Sequence, residues 1–502
     1  MLVDFQYLSH TKQVIVSYTD STGDIKLKHF KWEKPTNFHV CQPNDPDRHP
    51  TYRTWNDKPV KKIPVSYPDR YSLYEFIDSL PQADRDEIYA YNEPKIYFID
   101  IETEITDGFP SPETAPDKVT AISIVYDDKI MLMGTKDLSS EDQKDILKDT
   151  NNHFKSCKAN YQLKYIKYKD EFDMLYAFFY KMIPKMPMIS GWYINDFDIP
   201  YLMNRARKMS KTVNGQRFSI DPAVSSFTKR LTKMHADSIT ELPAHRIVLD
   251  YMKLYQCTDT SIKVKESNSL DFVGDKLVGV AKIKYNGSLQ KLYEDDFKKY
   301  MYYNCVDSVL VQQIHLKMNY ASIIFAIGCL AKIKVGDVVS KMEDKLASIG
   351  ITEGVLRGRF RDENVVLFRD ETHVDNSLAG GLVGGYVKEP VTGMNMWCSC
   401  YDFASLYPHQ QMQYFIAPEN FRGNQIKDEP EYALYEGQKI KIDPAIHAVL
   451  INGCVFEKRV SPTIKMLKDV YADRKKHKKM MMGKKEELKK LQNELKELEN
   501  SL

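Results

Sequence analysis

Hydrophobic and polar residues alternate in two segments near the start of the chain, and this alternation predicts a β-hairpin. The segments 13–18 and 25–30 each alternate apolar and polar side chains, which is the period-two pattern of a half-buried strand. Residues 19–24 between them contain Asp, Ser, Thr and Gly, which favour turns. Residues 43–68 are polar and rich in proline. The pattern predicts a small β-rich domain over residues 1–94.

From residue 95 onward, apolar strands alternate with amphipathic helices, which is typical of an α/β domain. Apolar runs predict strands over residues 95–99, 119–126, 129–134 and 187–192. Helical spacing of apolar residues predicts helices over residues 171–183, after residue 198, and up to about residue 317. These elements predict an α/β domain over residues 95–320 within a multidomain α+β chain.

Two carboxylates, Asp100 and Glu102, follow the apolar run of the first of these strands. Strand alternation places both side chains on one face, about 7 Å apart along the chain. Paired carboxylates suit Mg²⁺ or Mn²⁺, which are hard cations that prefer oxygen ligands. The alternative is that both acids are simply solvated at the end of a strand.

Two further acidic residues, Asp198 and Asp307, lie on elements that could direct their carboxylates towards Asp100 and Glu102. Asp198 stands between the end of a predicted strand and the start of a helix, where an N-cap role is the alternative. Tyr303 and Asp307 are four residues apart and share one face of a predicted helix, where surface decoration is the alternative. The order and placement of the acidic sites together favour one catalytic centre.

Length, composition and charge limit the classes of protein to which this sequence can belong. At 502 residues the chain is too long for one hydrophobic core, and its length predicts about three domains. With a net charge of +2, nucleic-acid binding must depend on local basic patches. No apolar run reaches the roughly 18 residues that span a bilayer, and the first residues lack a signal-peptide pattern, so no membrane interaction is expected. The eight cysteines are scattered without a C-x-x-C pair, which indicates reduced thiols and no structural zinc.

The acidic residues lie in motifs that resemble those of a known family. FIDIE (98–102), NDFDIPY (195–201) and YNCVD (303–307) resemble the three exonuclease motifs of family B DNA polymerases. The resemblance implies an RNase H-like 3′-5′ exonuclease domain in which four carboxylates hold two Mg²⁺ or Mn²⁺ ions. These carboxylates are Asp100, Glu102, Asp198 and Asp307. One ion would activate water, the other would stabilise the leaving 3′ oxygen, and Tyr303 would orient the attacking water.

Other parts of this region also have expected roles in the family. Tyr193 departs from the pattern, since the family often has Asn at this position. Residues 227–246 are basic and polar; the family carries here a β-hairpin that helps to separate the primer end from the template, and a solvated loop is the alternative. Residues 321–375 are helical and polar, and the resemblance implies that they return to the N-terminal domain.

A glycine-rich segment over residues 380–390 has the sequence GGLVGGYVKEP. Paired glycines permit backbone conformations closed to other residues and let a phosphate backbone come close to the main chain. The segment resembles the family's loop that grips the template strand, which implies DNA-binding roles for Gly384, Gly385 and Tyr386. A simple turn is the alternative.

The stretch CYDFASLYP over residues 400–408 resembles the family's first polymerase motif, D-x-x-S-L-Y-P. It is expected to be a strand that ends at Asp402 and continues into a tight turn. The resemblance implies that Asp402 binds both catalytic metals, with the carbonyl of Phe403 as an added ligand. The main-chain amides of Ser405 and Leu406 would hold the triphosphate, and the ring of Tyr407 would exclude a ribose 2′-OH. Residues 409–411, His-Gln-Gln, depart from the small and aliphatic residues usual in the family.

A helix is predicted from Ser461 to the end of the chain, and its first half is strongly basic. Residues 465–485 contain nine Lys or Arg and two Asp. Arg474 and Lys478 share one face and match the family's fingers helix, where these residues reach the incoming triphosphate. For most of the other lysines a solvated basic face is the better interpretation.

The second half of this helix has a leucine repeat with alternating spacings of three and four residues. Its members are Leu488, Leu491, Leu495, Leu498 and Leu502. Such spacing predicts an apolar seam on one helix face. The family's fingers are a pair of antiparallel helices, so the expected partner is the first helix of a second polypeptide.

Two motifs that a complete family B polymerase needs do not occur in the sequence. They are a second palm aspartate in a Y-G-D-T-D-S-like turn and a fingers motif of the form K-K-x-x-N-S-x-Y-G. The resemblance therefore implies the first half of a palm over residues 376–460 and one fingers helix over residues 461–502. The expected function is the N-terminal subunit of a split replicative polymerase, which proofreads alone and polymerises dNTPs only with a C-terminal partner chain.

Three alternatives remain open. They are a stand-alone 3′-5′ exonuclease whose half palm binds DNA, a nucleic-acid-binding regulator without catalysis, and a shortened form of a full-length polymerase. The expected partners are primer-template and single-stranded DNA, dNTP, a second subunit with the remaining palm, fingers and thumb, and a sliding clamp reached through that subunit. The resemblance implies a bacteriophage protein in the cytoplasm of its host.

Overall fold

The structure is a computed structural model that describes most of the chain. It covers residues 1–42, 44–105, 108, 110–225, 242–259, 266–285, 287–338, 348–367, 388–389, 391–394, 396–403 and 405–501, with side chains 348–353 and 486–501 left out. The chain divides into two compact units, Met1–Asn37 with Pro64–Gly354 and Phe38–Ile63 with Val355–Leu502. The finer domain boundaries given above remain predictions.

The strands and helices are numbered in chain order. The strands are β1 (Leu2–Leu8), β2 (Gln13–Thr19), β3 (Ile25–Lys31), β4 (Thr36–Val40), β5 (Val60–Pro64), β6 (Ile96–Thr103), β7 (Val119–Tyr126), β8 (Lys129–Gly134), β9 (Gln162–Lys167), β10 (Met188–Gly191), β11 (Ser210–Val213), β12 (Gln216–Ser219), β13 (Ile247–Asp250), β14 (Phe421–Ile426), β15 (Glu429–Tyr435), β16 (Gln438–Lys441), β17 (His447–Val449) and β18 (Cys454–Glu457). The helices are α1 (Arg70–Asp78), α2 (Gln82–Tyr89), α3 (Ser140–His153), α4 (Glu171–Ala177), α5 (Asp198–Arg207), α6 (Tyr251–Thr258), α7 (Leu270–Val278), α8 (Leu289–Asp295), α9 (Phe297–Met318), α10 (Tyr320–Ala331), α11 (Ser348–Asp362), α12 (Leu406–Tyr414) and α13 (Pro462–Ser501).

The predicted N-terminal hairpin is confirmed. β2 and β3 pair in antiparallel fashion along their full length, and β1 adds on the other side of β2. Val14, Val16 and Tyr18 are buried because strand alternation places them on one face.

A six-stranded mixed sheet is the centre of the first unit. Its strand order is β13-β10-β6-β7-β8-β9. β6, β10 and β13 are parallel to one another, whereas β7 is antiparallel to both of its neighbours. Since parallel strands end at the same edge of a sheet, the residues at the ends of β6, β10 and β13 meet there.

Strand β6 is longer than predicted, and this changes the placement of its acids. The strand continues through Thr103, so Asp100 and Glu102 lie within it and not beyond its end. Each is paired with β7, opposite Ser123 and Ala121 respectively. The ladder of backbone hydrogen bonds therefore fixes both carboxylates on a rigid element.

Strand alternation gives β6 two different faces. Ile99 and Ile101 belong to an apolar core that includes side chains of α4 and α5. Phe98 faces the other way and contacts rings of α6 and α9. Asp100 and Glu102 share the face of Phe98. The acidic pair is therefore directed towards α9.

The predicted helices are confirmed in place, with one change of length. The helix expected over residues 171–183 is α-helical only to Ala177, and then continues as a π-helical turn, Phe178–Met182, and a 3₁₀ turn, Ile183–Lys185. Pro184 lies in that last turn and cannot donate an α-helical hydrogen bond, which accounts for the irregular end. The helix expected to end near residue 317 is α9.

The second unit contains an antiparallel sheet in the order β16-β15-β14-β18-β17, in a region where the sequence pattern predicted no strands. The predicted C-terminal helix is confirmed as α13. The leucine seam lies among the side chains left out of the description, so it remains a prediction.

The strand predicted to end at Asp402 is wrong. Residues 396–403 form no strand, and no described strand pairs with them. Trp397, Tyr401 and Phe403 are exposed, whereas a strand needs a neighbouring strand to pair its backbone N–H and C=O groups. The expected tight turn is present, because Ser405 has φ 54° and α12 begins at the next residue.

Among the described residues, no single helix has the length and apolar composition needed to cross a membrane. α9 and α10 meet the requirement only as a pair, and that pair is bent by 65°.

Candidate functional site

Three acidic side chains from distant parts of the sequence meet at the central sheet. Asp100 and Glu102 of β6 and Asp307 of α9 have carboxylate oxygens within 4.8 Å of one another. Glu102 and Asp307 are only 8% and 4% exposed. Carboxylates this close repel one another unless protons or a cation offset their charge.

Asp198 reaches β6 from helix α5, which follows the neighbouring strand β10. It is the first residue of α5, whose N-cap is Phe197. The Asp198 Oδ1 accepts a hydrogen bond of 3.1 Å from the backbone N–H of Ile101, the residue between Asp100 and Glu102. The alternative of an N-cap role for Asp198 is therefore wrong.

Asp250 holds the loop that carries Asp198, and sequence reasoning missed it. Its carboxylate accepts hydrogen bonds from the backbone N–H groups of Tyr193 (3.2 Å) and Asn195 (3.3 Å), and it also caps α6. Tyr193 has φ 65°, in the left-handed region that Asn tolerates better than Tyr. This conformation gives a physical reason for the Asn that the family often has at this position.

A glycine allows β10 to approach β6 at the same edge. A Cβ atom on Gly191 would lie 2.6 Å from the carbonyl oxygen of Ile99, which is too close for any side chain. The loop after β10 can therefore begin directly beside the acidic strand.

Lys282 is a second residue that sequence reasoning missed. Its Nζ lies 2.5 Å from Asp307 Oδ2 and 4.8 Å from the ring centre of Tyr303. Burial alone would lower the pKa of Lys282, but the Asp307 carboxylate and the Tyr303 hydroxyl raise it above its usual value. Lys282 therefore stays charged and offsets part of the negative charge of the cluster.

Burial raises the pKa of every carboxylate in this cluster. It raises the pKa of Asp198 to about 7 and that of Asp307 to about 6, although Lys282 opposes the shift at Asp307. Burial first, and the charge of Asp307 second, raise the pKa of Asp100 and of Glu102 well above the usual values. The site is short of positive charge, which a divalent cation would supply.

The donor set fits a cation of the magnesium type. All the converging ligands are carboxylate oxygens, which Mg²⁺ and Mn²⁺ prefer. Asp307 Oδ1 is buried and accepts no hydrogen bond from any residue that the structure describes, although Oδ2 is paired with Lys282. An unpaired oxygen beside Asp100 and Glu102 is an available metal ligand.

The second unit brings together only part of the predicted nucleotide site. Arg474 of α13 donates a 2.7 Å hydrogen bond to the hydroxyl of Ser405. Asp402 belongs to no acidic cluster within the described part of the chain, and its neighbours Phe403 and Tyr407 are 75% exposed. The polymerase motif thus has an arginine beside Ser405, but its Asp402 is not grouped with other acidic residues in the part of the chain that the structure describes.

Two family models match the chain in different regions. Residues 72–273 match the exonuclease domain of DNA polymerase family B, and residues 342–501 match DNA polymerase family B. Together the matches cover more than two thirds of the sequence. The chain belongs to DNA polymerase family B.

Relatives of this chain include DNA polymerases of viruses. The DNA-directed DNA polymerase of Escherichia phage RB69 is 25% identical over 408 residues, which are 79% of this chain and 43% of the relative. That of Enterobacteria phage T4 is 27% identical over 321 residues, 64% of this chain and 34% of the relative. The DNA polymerase catalytic subunit of Saimiriine herpesvirus 2 is 26% identical over 345 residues, which are 65% of this chain and 30% of the relative. This family B chain therefore spans less than half the length of these relatives.

The predicted site residues of the family B chain fall into three groups. Those brought together are Asp100, Glu102, Asp198, Tyr303 and Asp307, and, in the second unit, Ser405 and Arg474. Those described but not grouped with other site residues are Asp402, Phe403, Leu406, Tyr407 and Lys478. Gly384, Gly385 and Tyr386 lie outside the described residues, as do residues 227–241 of the basic segment. The roles of all these residues remain predictions.

Proposed function

We propose that this family B chain carries a 3′-5′ exonuclease that removes nucleotides from single-stranded DNA ends. The observation that carries the proposal is the convergence of Asp100, Glu102 and Asp307 within 4.8 Å, with Asp198 bonded to the same strand. An RNase H-like fold for this region is supported by the mixed sheet, in which β7 is the strand antiparallel to β6.

The four carboxylates would hold two Mg²⁺ or Mn²⁺ ions, which when bound supply a more acidic water and stabilise charge on the leaving 3′ oxygen. Lys282 holds the Asp307 carboxylate in place through its ion pair. Burial, followed by the charge of Asp307, raises the pKa of Tyr303 above its usual value. Tyr303 therefore keeps its proton near neutral pH and serves as a hydrogen-bond donor that orients water.

The polymerase motif supports a second, incomplete activity. Asp402 and the Phe403 carbonyl would bind the catalytic metals, and Ser405, Leu406, Tyr407, Arg474 and Lys478 would contact the incoming nucleotide. The hydrogen bond between Arg474 and Ser405 supports this proposal, because it holds a guanidinium group next to Ser405. We infer that polymerisation requires a further palm carboxylate from a partner polypeptide, with which the chain would form a split polymerase.

Removal of two proposed ligands tests the nuclease. We expect Asp100→Ala with Glu102→Ala to reduce Mg²⁺-dependent degradation of 3′-labelled single-stranded DNA by about a thousand-fold or more. The fold should persist, because the double change relieves like-charge repulsion and removes no apolar core atoms. Asp137→Ala with Glu141→Ala, two exposed acids of the same unit, is the matched control and should retain full activity. Undiminished digestion by the pure Asp100/Glu102 variant would refute the proposal.

A further inference from the structure

Asn304 is a fully buried amide beside the acidic cluster. It lies on α9 one turn before Asp307, and its exposed fraction is 0%. Burying an amide is unfavourable unless hydrogen bonds replace those lost to water. The contacts of Asn304 therefore indicate why a polar residue occupies this position.

The side chain of Asn304 donates to a proposed metal ligand. Its Nδ2 lies 2.7 Å from Asp100 Oδ2. The backbone carbonyl of Asn304 accepts a 3.0 Å hydrogen bond from the Ser123 hydroxyl, and Ser123 is paired with Asp100 across β6 and β7. Two neighbouring strands, β6 and β7, therefore hold Asn304 from the same face of the sheet.

The other end of the amide has no partner in the described part of the protein. Asn304 Oδ1 and Asp307 Oδ1, one turn apart on α9, are both buried and accept no hydrogen bond from any described residue. Leaving such a buried acceptor unsatisfied is unfavourable, because it has lost its hydrogen bonds to water. Two unpaired acceptors at one acidic cluster would be satisfied if the cluster held a hydrated cation.

We propose that Asn304 is a positioning residue of the metal centre, whose amide fixes the orientation in which the Asp100 carboxylate meets the cation. A neutral donor suits this task, because it orients the carboxylate without adding a charge that competes with the cation. Lys282 performs the equivalent task at Asp307 with a charge. The inference rests on the proposed nuclease site and identifies a residue that supports it from outside the ligand set.

The experiment measures metal binding without DNA. Asn304→Leu keeps a similar side-chain volume and removes the hydrogen-bond donor. Asn304→Ser shortens the side chain so that it no longer reaches Asp100, and it keeps a polar group at this position. Gln312→Met is the matched control, since Gln312 is also a buried amide of α9 but donates to the Asp127 carbonyl, outside the acidic cluster. Free Mn²⁺ is followed by electron paramagnetic resonance during titration of each full-length variant, and the Mg²⁺ dependence of DNA degradation is measured beside it.

The expected result is a Mn²⁺ dissociation constant about ten-fold higher in Asn304→Leu, with a similar rise in the half-activating Mg²⁺ concentration. The rate at saturating Mg²⁺ should fall by a smaller factor. Gln312→Met should lower the melting temperature and leave the dissociation constant within two-fold of that of the unchanged protein. If Asn304→Leu does not fold, Asn304→Ser provides the test, and its Mn²⁺ dissociation constant should be several-fold higher than that of the unchanged protein.

Two results would overturn the inference alone. One is Mn²⁺ binding by the Asn304 variants with the affinity of the unchanged protein, and the other is equal weakening by Gln312→Met, which would indicate a general loosening of α9. A failure of the proposed function looks different. In that case the unchanged protein itself would bind no Mn²⁺ and would degrade no DNA.

Discussion

Asp198 shows how burial changes the chemistry of a single residue. Its pKa rises to about 7 because burial penalises the charged form. The folded chain therefore binds more protons than the unfolded chain between the ordinary pKa of an aspartate and this raised value. Without a cation, folding and ionisation oppose each other at this position.

This opposition predicts how stability depends on pH. In EDTA, the free energy of unfolding should fall as pH rises from about 4 to about 7, since the stabilisation from protonated buried carboxylates is lost through their folded-state pKa values. Mg²⁺ should therefore raise the melting temperature much more at pH 8 than at pH 5. Asp198→Asn should raise the melting temperature in EDTA at pH 8 by about 5 °C.

Melting curves by circular dichroism at the two pH values, with and without Mg²⁺, provide the measurement. Asp137→Asn, at an exposed position, should leave the pH trend unchanged. An unfolding free energy that rises with pH in EDTA would contradict the pKa direction assigned to the cluster.

Sequence spacing indicated which of these acidic side chains lie close together in the structure. The period of a strand places Asp100 and Glu102 together, and the period of a helix places Tyr303 and Asp307 together. Lys282 and Asn304 escaped notice because their importance comes from contacts with residues far away in the sequence, and neither has a distinctive local pattern. Tyr193 is understood only when its left-handed backbone is seen.

At the scale of elements, helix α5 must be held firmly because it presents Asp198. Arg205 forms a bidentate pair with Glu171 of α4, with both nitrogen–oxygen distances at 2.8 Å. Glu171 also accepts a hydrogen bond of 2.8 Å from the backbone N–H of Val119, where β7 begins. This network connects two helices and a central strand.

Arg205→Met should lower the free energy of unfolding by about 3 kcal/mol, because it leaves Glu171 buried without its cation. Exonuclease activity should fall as well, since α5 would no longer be fixed. Adding Glu171→Gln should recover part of the stability. Urea unfolding of the three proteins gives the comparison, and Arg217→Met, at an exposed position of the same unit, should change stability by less than about 0.5 kcal/mol. Equal effects of Arg205→Met and Arg217→Met would show that the pair contributes nothing.

Element prediction worked best in the first unit. Its central strands have continuous apolar runs, whereas β14, β15 and β16 bury few residues and mix polar with apolar side chains. Their turns are marked only by short signals such as Glu436-Gly437. The strand ending at Asp402 was expected because residues 400–408 resemble a family motif. A sequence motif does not show whether neighbouring strands are present to stabilise such a strand.

At the scale of the whole molecule, the chain is expected to remove 3′ nucleotides without extending a primer. Asp402 has no acidic neighbours grouped around it among the described residues, and one carboxylate holds two metals poorly. Primer extension should appear when a polypeptide with the remaining palm is added. Extension by the pure chain alone would exclude the split arrangement.

The leucine seam offers a test of that assembly. Leu491→Lys with Leu498→Lys should weaken association and primer extension by about ten-fold or more, because two charges would enter an apolar seam. Exonuclease activity should not change. Gln492→Lys with Asn493→Lys adds the same charge beside the seam and serves as the control. If association survives the leucine changes, other surfaces hold the two chains together.

The contact between Asn304 and Asp100 joins residues that are 204 positions apart, and this separation has a consequence for biosynthesis. A ribosome makes β6 long before α9, so the acidic strand exists for many seconds without Asp307 at translation rates of about 5–20 residues per second. A nascent or interrupted polypeptide that stops before residue 297 lacks part of the ligand set. Nuclease activity would therefore arise only after α9 has been made, and translation products that end before α9 would leave DNA ends intact.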